Sequence, residues 1–239
     1  KFKPIDFFTE LNIYTQLMKK FISYGKNVYN SAEINAVTKT LKNTTQMGKS
    51  VYKFENKIAS LFGKKYGLMV NSGSSALILA FKSLNLKKGS EVITPCLNFG
   101  TAVSSIMLND LVPVLVDVDI RTLQINPELI KKKITKKTKA ILIPNLIGNI
   151  PDWKKIRQIA KKNNLWIIED SADTLGAKIE NKPTGAFSDI SITSFYGSHV
   201  ISCAGNGGML VTNNKNIFTK SKILRSWGRL STLMKDSEN

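Results

Sequence analysis

The chain has 239 residues, of which 42% are hydrophobic, and a formal net charge of +18 from 35 Lys and Arg against 17 Asp and Glu. That apolar fraction is ample for a buried core, which excludes an intrinsically disordered protein. One His and two widely separated Cys, Cys96 and Cys203, exclude a zinc cluster and a disulfide framework. His199 is therefore the only histidine available for catalysis.

The positive charge does not by itself indicate nucleic-acid binding. Only four of the 35 basic residues are arginines, and the lysines are spread along the chain, whereas nucleic-acid readers favour arginine forks and clustered basic patches. The lysine runs at 131–133 and 136–137 stand beside apolar residues in a helix-like pattern, which is typical of a solvated face. We expect no nucleic-acid partner.

Nothing in the sequence points to secretion or to a membrane. The apolar stretch at 140–147 contains Pro144 and is far shorter than the roughly 20 residues that span a bilayer. Residues 2–8 lack the charged start, apolar run and cleavage site of a signal peptide. We expect a cytoplasmic protein with reduced thiols.

The polar tail at 234–239 offers no closing core element, and we expect the chain to be a fragment.

Short apolar runs alternate with amphipathic stretches, which favours an α/β fold with a mostly parallel sheet covered on both faces. We predict seven strands, at residues 66–70, 91–94, 112–116, 140–143, 166–169, 190–194 and 208–211. We predict six helices, at residues 49–62, 74–84, 99–108, 127–134, 152–162 and 217–226. Residues 1–45 are predicted to form a helical N-terminal arm, and residues 46–239 one large domain.

Ligands of open α/β sheets bind outside the carboxyl ends of the strands, so the loops at those ends are the candidate site. The first loop, at 71–76, is a small-residue turn that opens a helix. Its free N–H groups and hydroxyls suit a phosphate, although a well-capped helix explains the same residues. The second loop, at 95–101, contains Phe99, which could stack on a planar ligand or simply belong to the core.

Two later loops carry titratable groups. Asp170 follows an apolar strand, where a carboxylate requires a donor or cation, and it could pair with a protonated ring nitrogen or serve as a helix N-cap. His199 stands just before a glycine-rich segment at 204–208. A lone histidine is usually structural, but this position opposite the other loops favours a role in proton transfer.

Four ordered motifs together resemble one known family. They are Met47-Gly48, Ser72-Gly73-Ser74-Ser75-Ala76, Glu169-Asp170 and Ser194-Phe195-Tyr196. The chain resembles the pyridoxal-phosphate sugar aminotransferase family called DegT/DnrJ/EryC/StrS, which has the aspartate aminotransferase (type I) fold. The resemblance implies that Gly73, Ser74 and Ser194 hold the cofactor phosphate, that Phe99 stacks on the pyridine ring and that Asp170 pairs with the ring nitrogen. Asp173 falls where the family has a polar residue against the ring.

The sequence departs from the aminotransferases at the residue that binds the cofactor covalently. Counting Phe195 as the first, the fifth residue of this loop is the family's Schiff-base lysine, and here it is His199. No lysine lies between Phe195 and Gly208. The pattern resembles the 3-dehydratase branch, which removes the C3 hydroxyl from nucleotide-linked 4-keto-6-deoxyhexoses. The resemblance then implies pyridoxamine 5'-phosphate as the working cofactor, His199 as the base and an amino donor such as glutamate.

The resemblance carries further expectations. One 3-dehydratase type holds an iron–sulfur cluster on cysteines, but Ala172 occupies one of those places and no Cys follows Trp227-Gly228-Arg229, so no cluster is expected. The family's length implies that the small C-terminal domain is missing from this sequence, and its members work as homodimers. The alternatives are a nucleotide-sugar aminotransferase that uses an unusual lysine, and a non-catalytic cofactor-binding relative.

Overall fold

The computed structural model describes residues 25–26, 28–43 and 46–233. The predicted N-terminal arm therefore lies partly outside the described residues. Within it, helix α1 (Ser31–Asn43) buries none of its residues. The proposed division of the chain at residue 45 stays a prediction. No helix in the described ranges is long and apolar enough to cross a membrane.

Each predicted strand and helix is present, with ends within two residues of those expected. The strands are β1 (Tyr66–Val70), β2 (Glu91–Pro95), β3 (Val112–Val116), β4 (Val118–Asp119), β5 (Gln124–Ile125), β6 (Thr138–Pro144), β7 (Trp166–Asp170), β8 (Lys178–Ile179), β9 (Lys182–Pro183), β10 (Ile190–Ser194) and β11 (Gly208–Thr212). The remaining helices are α2 (Lys49–Leu61), α3 (Gly73–Leu84), α4 (Gly100–Met107), α5 (Pro127–Lys133), α6 (Trp153–Lys162) and α7 (Lys215–Arg225). The two short pairs β4–β5 and β8–β9 were not predicted.

Seven strands form one sheet in the order β1-β11-β10-β7-β6-β2-β3. All neighbours are parallel except β11, which runs antiparallel to both β1 and β10. The predicted mostly parallel, seven-stranded α/β sheet is confirmed. Because β11 is reversed, its first residue lies at the same edge as the last residues of β1 and β10, as the pairs Val70–Gly208 and Ser194–Gly208 indicate.

Helices cover both faces of the sheet because the side chains of each strand alternate between the faces. Ile168 packs in the cluster that includes α3 and α4 residues, whereas its neighbour Ile167 packs with Trp153 and Ile156 of α6. The opposite side of α6 is polar, and the lysine runs at 131–133 and 136–137 are exposed, as predicted for a solvated face.

A third cluster anchors the loop that follows β10. Phe195 is fully buried with Ile58, Phe62 and Met209, and its ring centroid lies 4.9 Å from that of Phe54 in α2. Phe195 also donates its N–H to the carbonyl of Gly207. The residues on either side of this buried ring are thereby held at the carboxyl edge of the sheet, where the candidate site lies.

Candidate active site

A cavity of about 740 Å³ opens at the carboxyl edge of the sheet. All seven residues singled out from the sequence line it, which are Gly73, Ser74, Phe99, Asp170, Asp173, Ser194 and His199. These residues come from four different loops, and the parallel topology brings the loops together. Their individual roles toward a cofactor stay predictions.

The turn before α3 forms one end of the cavity. The Ser72 hydroxyl accepts a hydrogen bond from the Ser75 N–H at 3.1 Å, which caps the helix. The first N–H groups of a helix have no acceptor within it, and the helix dipole favours an anion there. The two interpretations of this turn are therefore compatible, because a capped helix start also presents donors to the cavity.

The backbone packs so tightly around this turn that glycine is needed at two positions. A Cβ on Gly73 would lie 2.8 Å from the Ser194 Cβ, and one on Gly208 would lie 2.2 Å from the Ser72 carbonyl oxygen. Ser194 consequently faces the start of α3 directly. This close approach of two loops fits a cradle for a phosphate group.

Asp170 ends β7 with its side chain buried at the floor of the cavity. Burial raises the pKa of its carboxyl to about 7, and the nearby carboxyls of Asp173 and Glu169 add to that rise, while the Ala172 N–H at 3.0 Å opposes it. A turn and not a helix follows, so the interpretation of Asp170 as a helix N-cap is wrong. A buried carboxyl of raised pKa fits a cationic ligand group, which would stabilise the charged form.

The raised pKa of Asp170 predicts a pH-dependent cost to the folded protein. In the unfolded chain this carboxyl ionises near its ordinary pKa of 3.8, but in the folded protein it holds its proton up to about pH 7. Stability therefore falls as pH rises from about 4 to about 7, by up to about 4 kcal/mol. The Asp170→Asn side chain does not ionise, so we expect the cofactor-free variant to be more stable than the parent at pH 8. Urea unfolding of both proteins at pH 4 and pH 8 measures their free energies of unfolding. If the difference between variant and parent were the same at both pH values, the prediction would be contradicted.

His199 lines the cavity next to Asp173. The imidazole Nε2 is 3.8 Å from Asp173 Oδ1, and the other oxygen of Asp173 accepts the Ile147 N–H at 3.1 Å. The His199 Nδ1 is buried and has no hydrogen-bond partner among the described residues. The ring stands edge-on to Tyr196, with centroids 5.8 Å apart. One imidazole nitrogen thus faces a carboxylate, and the other is buried without a partner among the described residues.

Phe99 immediately precedes α4 and is 70% exposed, so the interpretation of this ring as a core residue is wrong. The preceding side chain, Asn98, fixes the loop because it accepts the Phe99 N–H at 2.8 Å and donates to the Thr94 hydroxyl at 3.1 Å. An exposed ring on the wall of a cavity is suited to stacking on a planar group.

Asn145 and Tyr196 are among the lining residues that were not singled out from the sequence. Asn145 follows β6 directly, so the rule that places ligand sites at strand ends would have selected it had that rule been applied to this strand. Tyr196 was visible only as part of a motif, and its position beside His199 depends on the turn in which the His199 N–H donates to the Tyr196 carbonyl at 3.0 Å. Neither residue carries a charge that would have drawn attention.

The cavity offers N–H donors at the start of α3, the buried carboxyl of Asp170 and the exposed ring of Phe99. Together these groups suit a vitamin B6 phosphate. The residues that line it in the described ranges include no lysine. Residues 28–238 match the family model of the DegT/DnrJ/EryC1/StrS aminotransferase family. The chain belongs to this family. The family is one of pyridoxal-phosphate-dependent enzymes that act on sugars, and the resemblance seen in the sequence is confirmed.

Three relatives illustrate the similarity. The chain is 41% identical over 184 residues to the lipopolysaccharide biosynthesis protein RfbH of Salmonella typhimurium, which covers 74% of this chain and 42% of that protein. It is 41% identical over 168 residues to the GDP-perosamine synthase of Escherichia coli O157:H7, covering 70% of this chain and 46% of that protein. The structure of the E. coli GDP-4-keto-6-deoxy-D-mannose 3-dehydratase with bound hydrated pyridoxal phosphate superposes with a TM-score of 0.79 at 33% identity.

That structural match covers 85% of this chain and 53% of the dehydratase chain. The chain thus spans about half the length of the relatives it matches. The aspartate aminotransferase-like fold expected from the sequence is confirmed by this superposition.

Proposed function

We propose that this protein is a pyridoxamine-phosphate-dependent 3-dehydratase that acts on a nucleotide-linked 4-keto-6-deoxyhexose in deoxysugar and lipopolysaccharide biosynthesis. The observation that carries the proposal is the place of His199, which lines a cavity with no lysine among its described residues. The similarity to RfbH and to the E. coli 3-dehydratase supports the pathway and the reaction. A homodimeric, cytoplasmic enzyme is part of the same proposal.

The proposed cofactor site uses the residues at the two ends of the cavity. Gly73 and Ser74 would direct the N–H groups of the first turn of α3 toward the phosphate, with Ser194 beside them. Phe99 would cover one face of the ring. When bound, the cofactor's pyridine ring supplies an electron sink. It serves bonds that break next to the carbon joined to the cofactor's amine nitrogen.

Asp170 would hold the proton of the cofactor ring nitrogen. Its carboxyl is buried, so a cationic N–H facing it gains an ion pair in a region of low dielectric constant. By keeping this nitrogen protonated, Asp170 would sustain the electron sink, and the proposed chemistry therefore depends on its carboxylate. Asp173 would lie against the ring and the imidazole of His199.

His199 would move the proton. Its imidazole lines the cavity, so it is placed to take up a proton from a bound group and return it. Near neutral pH an imidazole exchanges protons readily, whereas it cannot replace a lysine amine as a covalent attachment point. The proposed net reaction replaces the C3 hydroxyl by hydrogen, while glutamate is oxidised to 2-oxoglutarate and its nitrogen leaves as ammonia.

A nucleotide-sugar aminotransferase is the second candidate, and the 41% identity to a GDP-perosamine synthase favours it. In that reaction the nitrogen of glutamate would remain in the product sugar. The candidate requires a lysine to hold the cofactor, and the described residues that line the cavity provide none. We therefore rank it second.

The fate of the glutamate nitrogen distinguishes the two candidates. We expect the protein, incubated with pyridoxamine phosphate, glutamate and a nucleotide-linked 4-keto-6-deoxyhexose, to release one ammonia for each 2-oxoglutarate formed. Coupled assays of both products measure that ratio, and a reaction without the sugar gives the background. Formation of 2-oxoglutarate that depends on the sugar but releases no ammonia would establish the aminotransferase and refute the dehydratase.

A further inference from the structure

A buried hydrogen-bond network lies directly beneath the candidate site, and its centre is the carboxylate of Glu169. Glu169 precedes Asp170 in β7, so its side chain points to the opposite face of the sheet. The carboxylate is fully buried and accepts four hydrogen bonds. Oε1 accepts from Asn145 Nδ2 at 2.9 Å and Ser171 Oγ at 2.8 Å, and Oε2 accepts from Ser188 Oγ at 3.1 Å and Ser191 Oγ at 2.6 Å.

Asn145 connects this network to Asp170 from both sides. Its N–H donates to the Asp170 carbonyl at 2.8 Å, and its Nδ2 donates to the side chains of Glu169 and Ser171, the residues on either side of Asp170. Three consecutive residues, Glu169, Asp170 and Ser171, are thus bonded to one buried asparagine. These bonds restrain the backbone that carries the Asp170 carboxyl.

The remaining polar groups of Asn145 are also paired. Its Oδ1 accepts the Trp153 indole N–H at 2.9 Å, and its carbonyl accepts the Thr174 hydroxyl at 2.9 Å. Two residues later Ile147 has a positive φ of 49° and donates its N–H to Asp173. Each polar group of Asn145 therefore has at least one hydrogen-bond partner, and these bonds restrain the turn that lines the cavity.

Lys64 supplies positive charge to this network. Its ammonium group is buried and donates to the Ser188 carbonyl at 2.5 Å. Burial lowers the pKa of Lys64 to about 8, and the nearby carboxylates of Glu169 and Asp189 oppose that fall. The Glu169 carboxylate is therefore hydrogen-bonded on both oxygens and has a cation nearby, which is the condition for a stable buried charge.

We propose that Asn145 and Glu169 are positioning residues, which hold the Asp170 carboxyl in the place where it meets the cofactor ring nitrogen. The inference rests on the proposed function, and it adds that the cavity floor depends on a network on the opposite face of the sheet. The four hydrogen bonds to Glu169 and the bonds from Asn145 around Asp170 carry it.

The test measures protonation of the ring nitrogen directly. The protein is loaded with pyridoxamine phosphate labelled with ¹⁵N in the ring, and the ¹⁵N chemical shift of the bound cofactor is recorded. Asn145→Asp places a second carboxyl against Glu169 and removes a donor, so we expect the signal to move toward that of the deprotonated ring. A shift of the Asp170 carboxyl by about 1 Å would lower kcat about a hundredfold.

Two variants separate positioning from folding. Glu169→Gln keeps the size of the side chain and can still accept from Asn145, but its NH2 group cannot accept from the serine hydroxyls on the other side, so we expect a smaller movement of the signal and a smaller loss of kcat than in Asn145→Asp. Ser171→Ala removes one hydroxyl with little change in volume, and we expect an intermediate shift. The matched control is Asn149→Asp, four residues after Asn145, because the Asn149 amide donates to the Thr122 carbonyl and not to the cavity floor.

The result of Asp170→Asn decides which statement fails. If Asp170→Asn moves the ring signal while a folded Asn145→Asp protein keeps the parent signal, the positioning inference is overturned and the proposed function stands. Should Asn145→Asp fail to fold, an unchanged signal in Ser171→Ala overturns the inference. If Asp170→Asn itself leaves the signal unchanged, the role of Asp170 in the proposed function is refuted, and the positioning inference with it.

Discussion

His199→Asn is expected to bind pyridoxamine phosphate as the parent does and to lose C3 deoxygenation by at least about a hundredfold. Asparagine has nearly the same polarity and fills part of the same volume, but its amide does not exchange a proton near neutral pH. The hydroxyl at C3 then loses the proton donor that we assign to His199. Turnover of the nucleotide sugar measures the loss, and fluorescence of the bound cofactor measures binding.

A second substitution at the same position tests the reason for the loss. His199→Lys places an amine where the family's aminotransferases have theirs, so we expect the cofactor aldehyde to become covalently attached. Borohydride reduction followed by mass spectrometry of the intact protein detects the attachment, and the parent protein is the control. Full turnover by His199→Asn would mean that another group moves the proton, and the assignment of His199 would be wrong.

Asp170→Asn is expected to lower kcat by about a hundredfold to a thousandfold, because a preorganised charge that stabilises developing charge in a closed site contributes that much. The amide keeps the shape of the carboxyl and can still accept the Ala172 N–H, so the cavity floor is retained. It cannot hold a proton on the cofactor ring nitrogen by ion pairing. Steady-state kinetics at saturating pyridoxamine phosphate give the effect on kcat.

The matched control for this prediction is Asp110→Asn. Asp110 is exposed and pairs with Lys88 at 3.3 Å, away from the residues that line the cavity. The same change of charge there is expected to alter kcat less than about twofold, since a surface ion pair contributes little. Equal effects at Asp170 and Asp110 would refute the assigned role of Asp170.

The sheet was predictable because its strands are short apolar runs, most of which are buried. The predicted strands at 66–70, 112–116 and 190–194 match β1, β3 and β10 residue for residue. The helices followed from their periodicity, as α6 illustrates, where Trp153, Ile156 and Ile159 face the core. The direction of β11 was not predictable from its residues, because parallel and antiparallel strands can have the same apolar pattern. Only the pairing of β11 with β1 and β10 shows its direction.

Some residues of the candidate site could likewise be predicted from the sequence, and others could not. Asp170 was visible in the sequence because a charged residue at the end of an apolar strand is unusual, and His199 because it is the only histidine and stands before a glycine-rich segment. The role of Asn145 was not visible, because its partners Glu169 and Thr174 lie 24 and 29 residues away along the chain. An asparagine after a strand resembles an ordinary turn residue. Only the parallel pairing of β6 with β7 shows that this residue lies next to Asp170.

The structure of the product sugar tests the central proposal most directly. The parent protein is incubated with pyridoxamine phosphate, glutamate and a nucleotide-linked 4-keto-6-deoxyhexose, and the purified product is read by mass spectrometry and proton NMR. We predict a product that has lost the C3 oxygen, with a methylene at C3 and the ketone retained at C4. A product that keeps the C3 hydroxyl and carries an amino group at C4 would contradict the account and identify an aminotransferase.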